Sequence, residues 1–212
     1  MTRLVLASTS PARLALLRAG GIEPSTIAPG VDEDAVAARA TEQGLIESTA
    51  DMVHILAKAK AEAVLNHPDA VGAIIVGCDS SLEFDGKSLG KPHDPEVARA
   101  RWQAMRGRAG TLFSGHWVID NRNPVAGQLS PATGRVSSSI VHFADITDEE
   151  IDAYVATGEP LKVAGAFTID GLGGAFLRSI EGDAHTVIGL SLPTLRDLVI
   201  SLGVKYPSLW NR

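Results

Sequence analysis

Residues Ala73–Pro92 have the sequence AIIVGCDSSLEFDGKSLGKP, in which an apolar run leads into a turn between two charged positions. The β-branched run Ile74–Val76 predicts a buried strand, with Asp79 placed where that strand ends. The pair Asp85–Gly86 predicts a tight hairpin, because glycine tolerates the positive φ that such turns need. The hairpin would bring Lys91 back toward Asp79, at a strand end of the kind where α/β sheets bind ligands. The alternative is an ordinary turn between a surface acid and a surface base.

Residues 3–21 predict a strand, a polar turn and a helix. Ser10 suits the helix N-cap, and Pro11 suits the first helical position. A helix N-terminus attracts anions, and Ser8 and Arg13 lie at the same end. The segment therefore predicts a phosphate site, and a plain helix cap with a solvated arginine is the alternative.

A run of three carboxylates, Asp32–Asp34, follows a second short predicted strand over residues 25–28. Oxygen ligands of this kind suit Mg²⁺, so a metal site that includes Glu33 is one interpretation. A solvated, acidic start of a helix is the other interpretation, and the residues alone favour it.

A helix predicted over residues 48–65 carries one lysine on its apolar side. Lys60 falls on the same stripe as Val53 and Ala57. A lysine in that position is costly unless its charge meets a partner, and a bound anion would be such a partner. The side chain could instead extend to solvent at the edge of the core.

The composition restricts the class of protein. The chain has 212 residues, 45% of them hydrophobic, a net charge of −6 and a single cysteine, Cys78. The negative charge argues against binding to a nucleic acid polymer, although it permits a single nucleotide. No apolar run approaches the ~20 residues of a membrane span, and no signal peptide is recognised. We therefore expect a cytoplasmic protein without a membrane partner.

Strands and helices alternate along the whole chain. Strands are predicted over residues 111–119 and 136–143 with a long hairpin between them, and paired strands over 175–180 and 186–188. A closing helix is predicted over 192–202. This pattern predicts an α/β fold with a mixed twisted sheet and flanking helices, arranged as two lobes around a cleft.

Several motifs, taken in order, resemble those of the Maf family of septum-formation-inhibitor-like nucleoside triphosphate pyrophosphatases. LASTSPARLALL resembles the family's N-terminal opening, and Val31-Asp32-Glu33 falls at its acidic loop. LAKAKAEAV resembles the helix that carries an inward lysine. GCDSSLEFDGKSLGKP resembles the family's Gly-Ala-Asp-Thr and Leu-Gly-Lys-Pro motifs. DEEIDAYVATGEPLKVAGAF and the tail IEGD…VIGLSLP also match, so the resemblance covers nearly the whole chain.

The resemblance implies a fold and a reaction. The fold would be similar to that of inosine triphosphate pyrophosphatases, with residues 1–212 forming a single two-lobed domain that is often a dimer. The reaction would be the Mg²⁺- or Mn²⁺-dependent hydrolysis of a nucleoside triphosphate to the monophosphate and pyrophosphate. Asp79 would accept the proton of the attacking water, and Glu33 and Asp79 would hold the metal. The residues implied to contact the substrate are Ser8, Ser10, Arg13, Lys60, Lys91 and Asp170, of which Lys60 and Lys91 would also assist catalysis.

The sequence departs from the family pattern at five positions: Ala12, Gly110, Asp170, Thr186 and Ser191. Asp170 replaces a frequent glutamine, and a carboxylate there would repel phosphate or recruit a cation. Family members differ between dTTP or UTP and a methylated guanine nucleotide, and Ala164–Phe167 resembles the dTTP/UTP type. The alternatives are a nucleotide-binding regulator of septum formation with little or no catalysis, and another metal-dependent phosphohydrolase that releases single phosphates.

Overall fold

The computed structural model describes residues 1–211, which form seven strands and seven helices. The strands are β1 Arg3–Ala7, β2 Ser25–Thr26, β3 Ala73–Phe84, β4 Lys87–Leu89, β5 Ala109–Asn121, β6 Ala132–Phe143 and β7 Leu177–Gly182. The helices are α1 Pro11–Ala19, α2 Glu33–Glu42, α3 Thr49–Ala63, α4 Pro95–Met105, α5 Asp148–Ala156, α6 Ala184–Ile188 and α7 Leu192–Ser201. Short 3-10 turns complete the described chain. No helix within residues 1–211 is long and apolar enough to cross a membrane.

All seven strands belong to one mixed sheet, which confirms the predicted α/β class. The strand order is β2-β1-β3-β5-β6-β7, and β4 pairs with β3 beside this path. Strand β1 is parallel to both β2 and β3, whereas β3–β4 and β6–β7 are antiparallel. Helices flank the sheet, as the alternating pattern of the sequence predicts.

The chain divides into two compact units, each formed by several segments. The first unit consists of Met1–Asp79, Ser114–Ser137 and the chain from Gly189 onward. The second consists of Ser80–Phe113 and Ser138–Ile188. Three long strands, β3, β5 and β6, contribute residues to both units.

In the first unit, helix α3 packs directly onto strands β3 and β5 through glycines. A Cβ atom added at Gly77 on β3 would lie 2.7 Å from the Ala61 backbone nitrogen. One added at Gly115 on β5 would lie 2.8 Å from the His54 nitrogen. A larger residue at either position would therefore push the helix away from the sheet. This close approach also buries the apolar stripe of α3 around Ala61.

The core of the second unit is centred on Trp102 of α4, which is fully buried. Its ring makes edge-to-face contacts with Phe143, Tyr154 and Phe176, at centroid distances of 5.5 to 5.9 Å. Its indole N–H donates a 2.8 Å hydrogen bond to the carbonyl oxygen of Ala166. This bond satisfies the only polar group of a buried indole. It also connects α4 to residues 165–174, which we call the glycine-dense segment.

The predicted N-cap of α1 is confirmed, and two other helices begin with caps of the same kind. Ser10 caps α1, Asp94 caps α4, and Thr147 forms a capping box with Glu150 at α5. Asp32 caps α2, so the acidic run is in part the start of a helix, with Glu33 in the first turn. Caps of this kind satisfy backbone N–H groups that have no partner inside the helix.

The prediction that a strand ends at Asp79 is wrong. Strand β3 is 12 residues long and continues past Asp79 to Phe84. The predicted turn follows it, and Asp85 and Gly86 have φ values of 50° and 70° there. The parallel pairing with β1 does end near Asp79, because the last pair joins Ala7 to Gly77. Asp79 therefore lies just beyond the carboxyl end of β1, which preserves the expected location at a strand end.

Residues 186–188 form part of helix α6, so the prediction of a strand there is wrong. The carboxylate of Asp183 accepts the His185 backbone N–H at 3.1 Å and the Thr186 hydroxyl at 3.2 Å. This arrangement satisfies the first turn of a helix and outweighs the β-propensity of the Thr-Val-Ile run. Strand β7 pairs with β6 instead. The other predicted strands differ from the observed ones only in their bounds.

Candidate active site

Three charged side chains of the first unit meet at one point. The Lys60 Nζ atom lies 2.6 Å from Asp79 Oδ1 and 2.9 Å from Glu33 Oε1. Lys60 and Asp79 are each only 7% exposed, whereas the Glu33 side chain is half exposed. The inward lysine of α3 therefore has carboxylate partners, one inside the protein and one facing solvent.

The close packing of α3 on β3 explains why this contact forms. Successive residues of a strand point to opposite faces, so Gly77 and Asp79 share the face that α3 covers. Because Gly77 has no side chain, the helix approaches closely enough for Lys60 to reach Asp79. A glycine within a strand pattern indicates such a close approach. Gly77 is therefore the feature of the sequence that could have predicted the contact between Lys60 and Asp79.

The buried position controls the protonation of Asp79. Burial raises the pKa of the Asp79 carboxyl, while the charge and hydrogen bond of Lys60 and the charge of Arg13 oppose that rise. Glu33 adds to the rise by repulsion. The carboxylate is therefore a stronger base than a solvated aspartate, which suits a group that must accept a proton.

Cys78 is not the nucleophile of this site. It is fully buried on the opposite face of β3, and burial raises its pKa to about 11. A thiol of this kind is almost wholly protonated at neutral pH and reacts poorly. Its backbone carbonyl, by contrast, contributes to the site through Arg13.

Arg13 is fixed beside the carboxylate by main-chain acceptors. Its Nη1 atom donates to the Cys78 carbonyl at 3.0 Å and to the Ser8 hydroxyl at 3.3 Å. Its Nε atom donates to the Gly189 carbonyl at 2.8 Å. The Ser10 backbone N–H donates to the Ser8 hydroxyl at 3.1 Å. The structure thus brings Ser8, Ser10 and Arg13 together next to the residue that precedes Asp79. Main-chain acceptors such as these leave no signal in a sequence.

Lys91 and Asp170 belong to the second unit. Both residues are exposed. Within the described part of the chain, no hydrogen bond or ion pair connects Lys91 to Asp170. Asp170 Oδ1 instead accepts a short hydrogen bond from the hydroxyl of Thr168. Lys91 follows Gly90, whose carbonyl oxygen accepts a 2.6 Å hydrogen bond from Arg101. The roles of Lys91 and Asp170 in binding stay predictions.

Glu33 and Asp79 are the two side chains of this site that fit a divalent cation. Mg²⁺ is commonly held by one or two carboxylates, and substrate phosphates and water complete its shell. Within residues 1–211 no group of three or more His, Cys, Asp or Glu side chains could hold a metal without such help. The donors present therefore fit a metal that arrives with a phosphorylated ligand rather than a fixed structural ion.

The chain is similar to known proteins over its whole length. A family model described as Maf-like protein matches residues 3–202. A nucleoside triphosphate pyrophosphatase of Leifsonia xyli subsp. xyli is 56% identical, with 99% of this chain and 97% of the relative aligned. A second protein of that name, from Streptomyces avermitilis, is 50% identical over 99% of this chain and 95% of its own.

Among solved structures, the Staphylococcus aureus Ham1 protein aligns with 93% of this chain and 91% of its own, at 12% identity and a TM-score of 0.42. The chain belongs to the Maf-like protein family.

Proposed function

We propose that this protein is a nucleoside triphosphate pyrophosphatase, which hydrolyses its substrate to the monophosphate and pyrophosphate. The observation that carries the proposal is the contact of Lys60 with both Asp79 and Glu33, close to Arg13. A triphosphate carries about four negative charges, so cationic donors and a metal are needed before a nucleophile can approach. The names of the most similar relatives support the same reaction.

Asp79 would act as the general base. It would orient a water molecule and accept its proton as the oxygen attacks phosphorus. Lys60 would keep the buried carboxylate ionised while that water is in place, since its Nζ atom lies within hydrogen-bond distance of Asp79. When the proton moves to Asp79, the ammonium group would be left to interact with the negative charge of the phosphates.

Glu33 and Asp79 would hold a divalent cation, Mg²⁺ or Mn²⁺, together with the phosphates. A bound cation would neutralise phosphate charge and lower the pKa of the attacking water. Glu33 suits this role because its carboxylate is half exposed and is already fixed near Asp79 by Lys60. The metal preference stays a prediction.

The phosphate groups would be held by Ser8, Ser10 and Arg13 at the start of α1. The hydroxyls, the guanidinium and the helix N-terminus offer several donors at one point. Lys91 would also hold the triphosphate, on the basis of its match to the family motif. A homodimer, which the family resemblance implies, and a cytoplasmic location, which the composition favours, stay predictions.

The base preference is proposed from the glycine-dense segment. Ala164–Phe167 resembles the type that acts on dTTP and UTP, whereas Asp170 replaces a frequent glutamine. We therefore expect a pyrimidine triphosphate or a modified nucleotide as the substrate, with Asp170 affecting the choice.

A product assay tests the proposed reaction. Purified protein would be given canonical and modified nucleoside triphosphates with Mg²⁺ or Mn²⁺, and pyrophosphate and free phosphate would be measured separately. Pyrophosphate from a subset of nucleotides, lost in Asp79→Asn, is the expected result. Stepwise release of single phosphates would instead indicate another phosphohydrolase. Thermal stabilisation by a nucleotide without any product would favour a binding regulator of septum formation.

A further inference from the structure

The backbone turn that carries Lys91 is held by a side chain from helix α4. The Arg101 Nη1 atom donates a 2.6 Å hydrogen bond to the carbonyl oxygen of Gly90, the residue directly before Lys91. The backbone N–H of Gly165 donates to the same oxygen at 3.2 Å. One carbonyl thus joins the Lys91 turn both to α4 and to the glycine-dense segment, all within the second unit.

Arg101 differs from Arg99 of α4, and from Arg106 at the C-cap of that helix, in having no carboxylate partner. Arg99 pairs with Asp152, and Arg106 lies 2.7 Å from Asp148. Arg101 forms no ion pair with an Asp or Glu side chain within residues 1–211, although the residue is half-buried. Burial also lowers the pKa of Arg101, so its surroundings disfavour the charge. An arginine in this setting is not explained by surface charge pairing.

The turn is constrained at its other end as well. The His93 backbone N–H donates to the Leu161 carbonyl at 3.2 Å, and His93 has a φ of 59°, which is uncommon for a residue with a side chain. Lys91 therefore lies between two anchored residues, Gly90 and His93. Lys91 is exposed while the backbone on both sides of it is fixed. A fixed backbone reduces the entropy that the residue loses when its side chain binds a ligand.

From this geometry we infer that Arg101 is a positioning residue for Lys91. The inference rests on the proposed function, in which Lys91 holds the triphosphate. Arg101 does not need to touch the substrate. It fixes the carbonyl before Lys91 and so sets the direction in which the lysine leaves the turn. Errors of about 1 Å in the placement of such groups lower turnover by up to about 100-fold.

The test is a double-mutant cycle on the full-length protein. Arg101→Met keeps the bulk of the side chain and removes its donors, and Lys91→Gln removes the cation. Arg99→Met is the matched control, since it removes an arginine from the same helix. The values of kcat and KM for the preferred nucleotide are measured for each variant and for Arg101→Met/Lys91→Gln. Arg101→Lys keeps the positive charge and an N–H donor, and it serves as a second variant if Arg101→Met does not fold.

We expect Arg101→Met to lower kcat/KM by about 10- to 100-fold, Arg99→Met to leave it near wild type, and Arg101→Lys to restore part of the loss. In the Lys91→Gln background, Arg101→Met should have little further effect, because residues that act as a unit are not additive. Losses that multiply would overturn the inference and leave the proposed function intact. Wild-type turnover by Lys91→Gln would remove both this inference and the assigned role of Lys91. A wild-type protein that forms no pyrophosphate would refute the proposed function itself.

Discussion

The Nζ atom of Lys60 lies 2.6 Å from Asp79 Oδ1, and both side chains are almost fully buried. Buried ion pairs of this kind add little net stability, because removing two charges from water offsets most of their attraction. Apolar residues of similar volume at both positions would pack as well as this pair. Lys60 also contacts Glu33, whose side chain is half exposed. These features indicate that chemistry, rather than stability, explains why the two charges are placed together.

Replacing Asp79 with asparagine should abolish most of the activity without unfolding the protein. The amide keeps the shape of the carboxylate but cannot accept the proton of water, and general bases contribute about 10²- to 10⁴-fold to turnover. Asp197→Asn is the matched control, because Asp197 forms an exposed ion pair with Arg135. Pyrophosphate release and circular dichroism are measured for both variants. Near-wild-type turnover by Asp79→Asn would exclude Asp79 as the base.

Replacing Lys60 with methionine should destabilise the protein strongly. The variant leaves Asp79 buried without its cation, and breaking a buried pair in this way costs about 3–5 kcal/mol of unfolding free energy. Lys58→Met is the control on the same helix, because Lys58 is exposed and is 3.9 Å from Glu62. Urea denaturation at neutral pH gives the two free energies.

A double variant separates charge from packing in the same experiment. Lys60→Met/Asp79→Leu replaces the whole pair with apolar groups, which is often neutral or stabilising. We therefore expect the double variant to recover much of the stability lost in Lys60→Met while remaining inactive. A double variant less stable than Lys60→Met would show that the pair itself supports the fold.

Gly77→Ala should weaken the first unit and reduce turnover together. The added methyl group would lie 2.9 Å from the Ala61 Cβ atom, so α3 must move away from β3 and carry Lys60 with it. Overpacking of this kind costs about 1–3 kcal/mol. Gly90→Ala is the control for stability, since a Cβ atom at Gly90 meets nothing within 4 Å. Equal unfolding midpoints for the two variants would contradict the close packing of α3.

Much of this fold follows from local signals in the sequence. The helix cap Ser10, the Asp85–Gly86 turn and the inward direction of Lys60 are each determined by residues close in sequence, and the structure confirms them. The end of a strand, by contrast, is not determined by residues close in sequence. Strand β3 passes through Asp79 because β4 pairs with its distal half, and that pairing depends on residues beyond the turn.

The site was only partly predictable for a similar reason. The residue types of Lys60, Asp79 and Glu33 indicate charged chemistry, but their contact depends on how closely a helix approaches a sheet. Arg13 is fixed by the backbone carbonyls of Cys78 and Gly189. Because every residue has a backbone carbonyl, no pattern of side chains marks these two. Tertiary packing, rather than local propensity, selects those two.

Because of Glu159, the free energy of unfolding of the second unit should decrease as the pH falls into the acid range. Burial alone would raise its pKa, but hydrogen bonds from the backbone N–H groups of Gly173 and Leu172 and from the Tyr154 hydroxyl outweigh that effect and lower it. A carboxyl group with a lowered pKa stabilises the folded state above its ordinary pKa, about 4.3 for glutamate, and loses this contribution as the pH falls through the folded value. Glu159→Gln removes the ionisable group and keeps its size.

Urea denaturation of wild type and Glu159→Gln between pH 7 and pH 3 measures this dependence. The wild type should be the more stable protein at pH 7, and the difference should shrink as the pH falls below about 4.3, because protonated Glu159 and glutamine are then similar acceptors. Glu149→Gln, a change at an exposed glutamate of α5, controls for the loss of one surface charge. A difference that stays constant down to pH 3 would show that the charge of Glu159 does not hold the segment around Gly173.

Because Asp170 lies directly before that segment, loss of the anchor should also alter the preference among nucleotides, which the product assay would measure at pH 7.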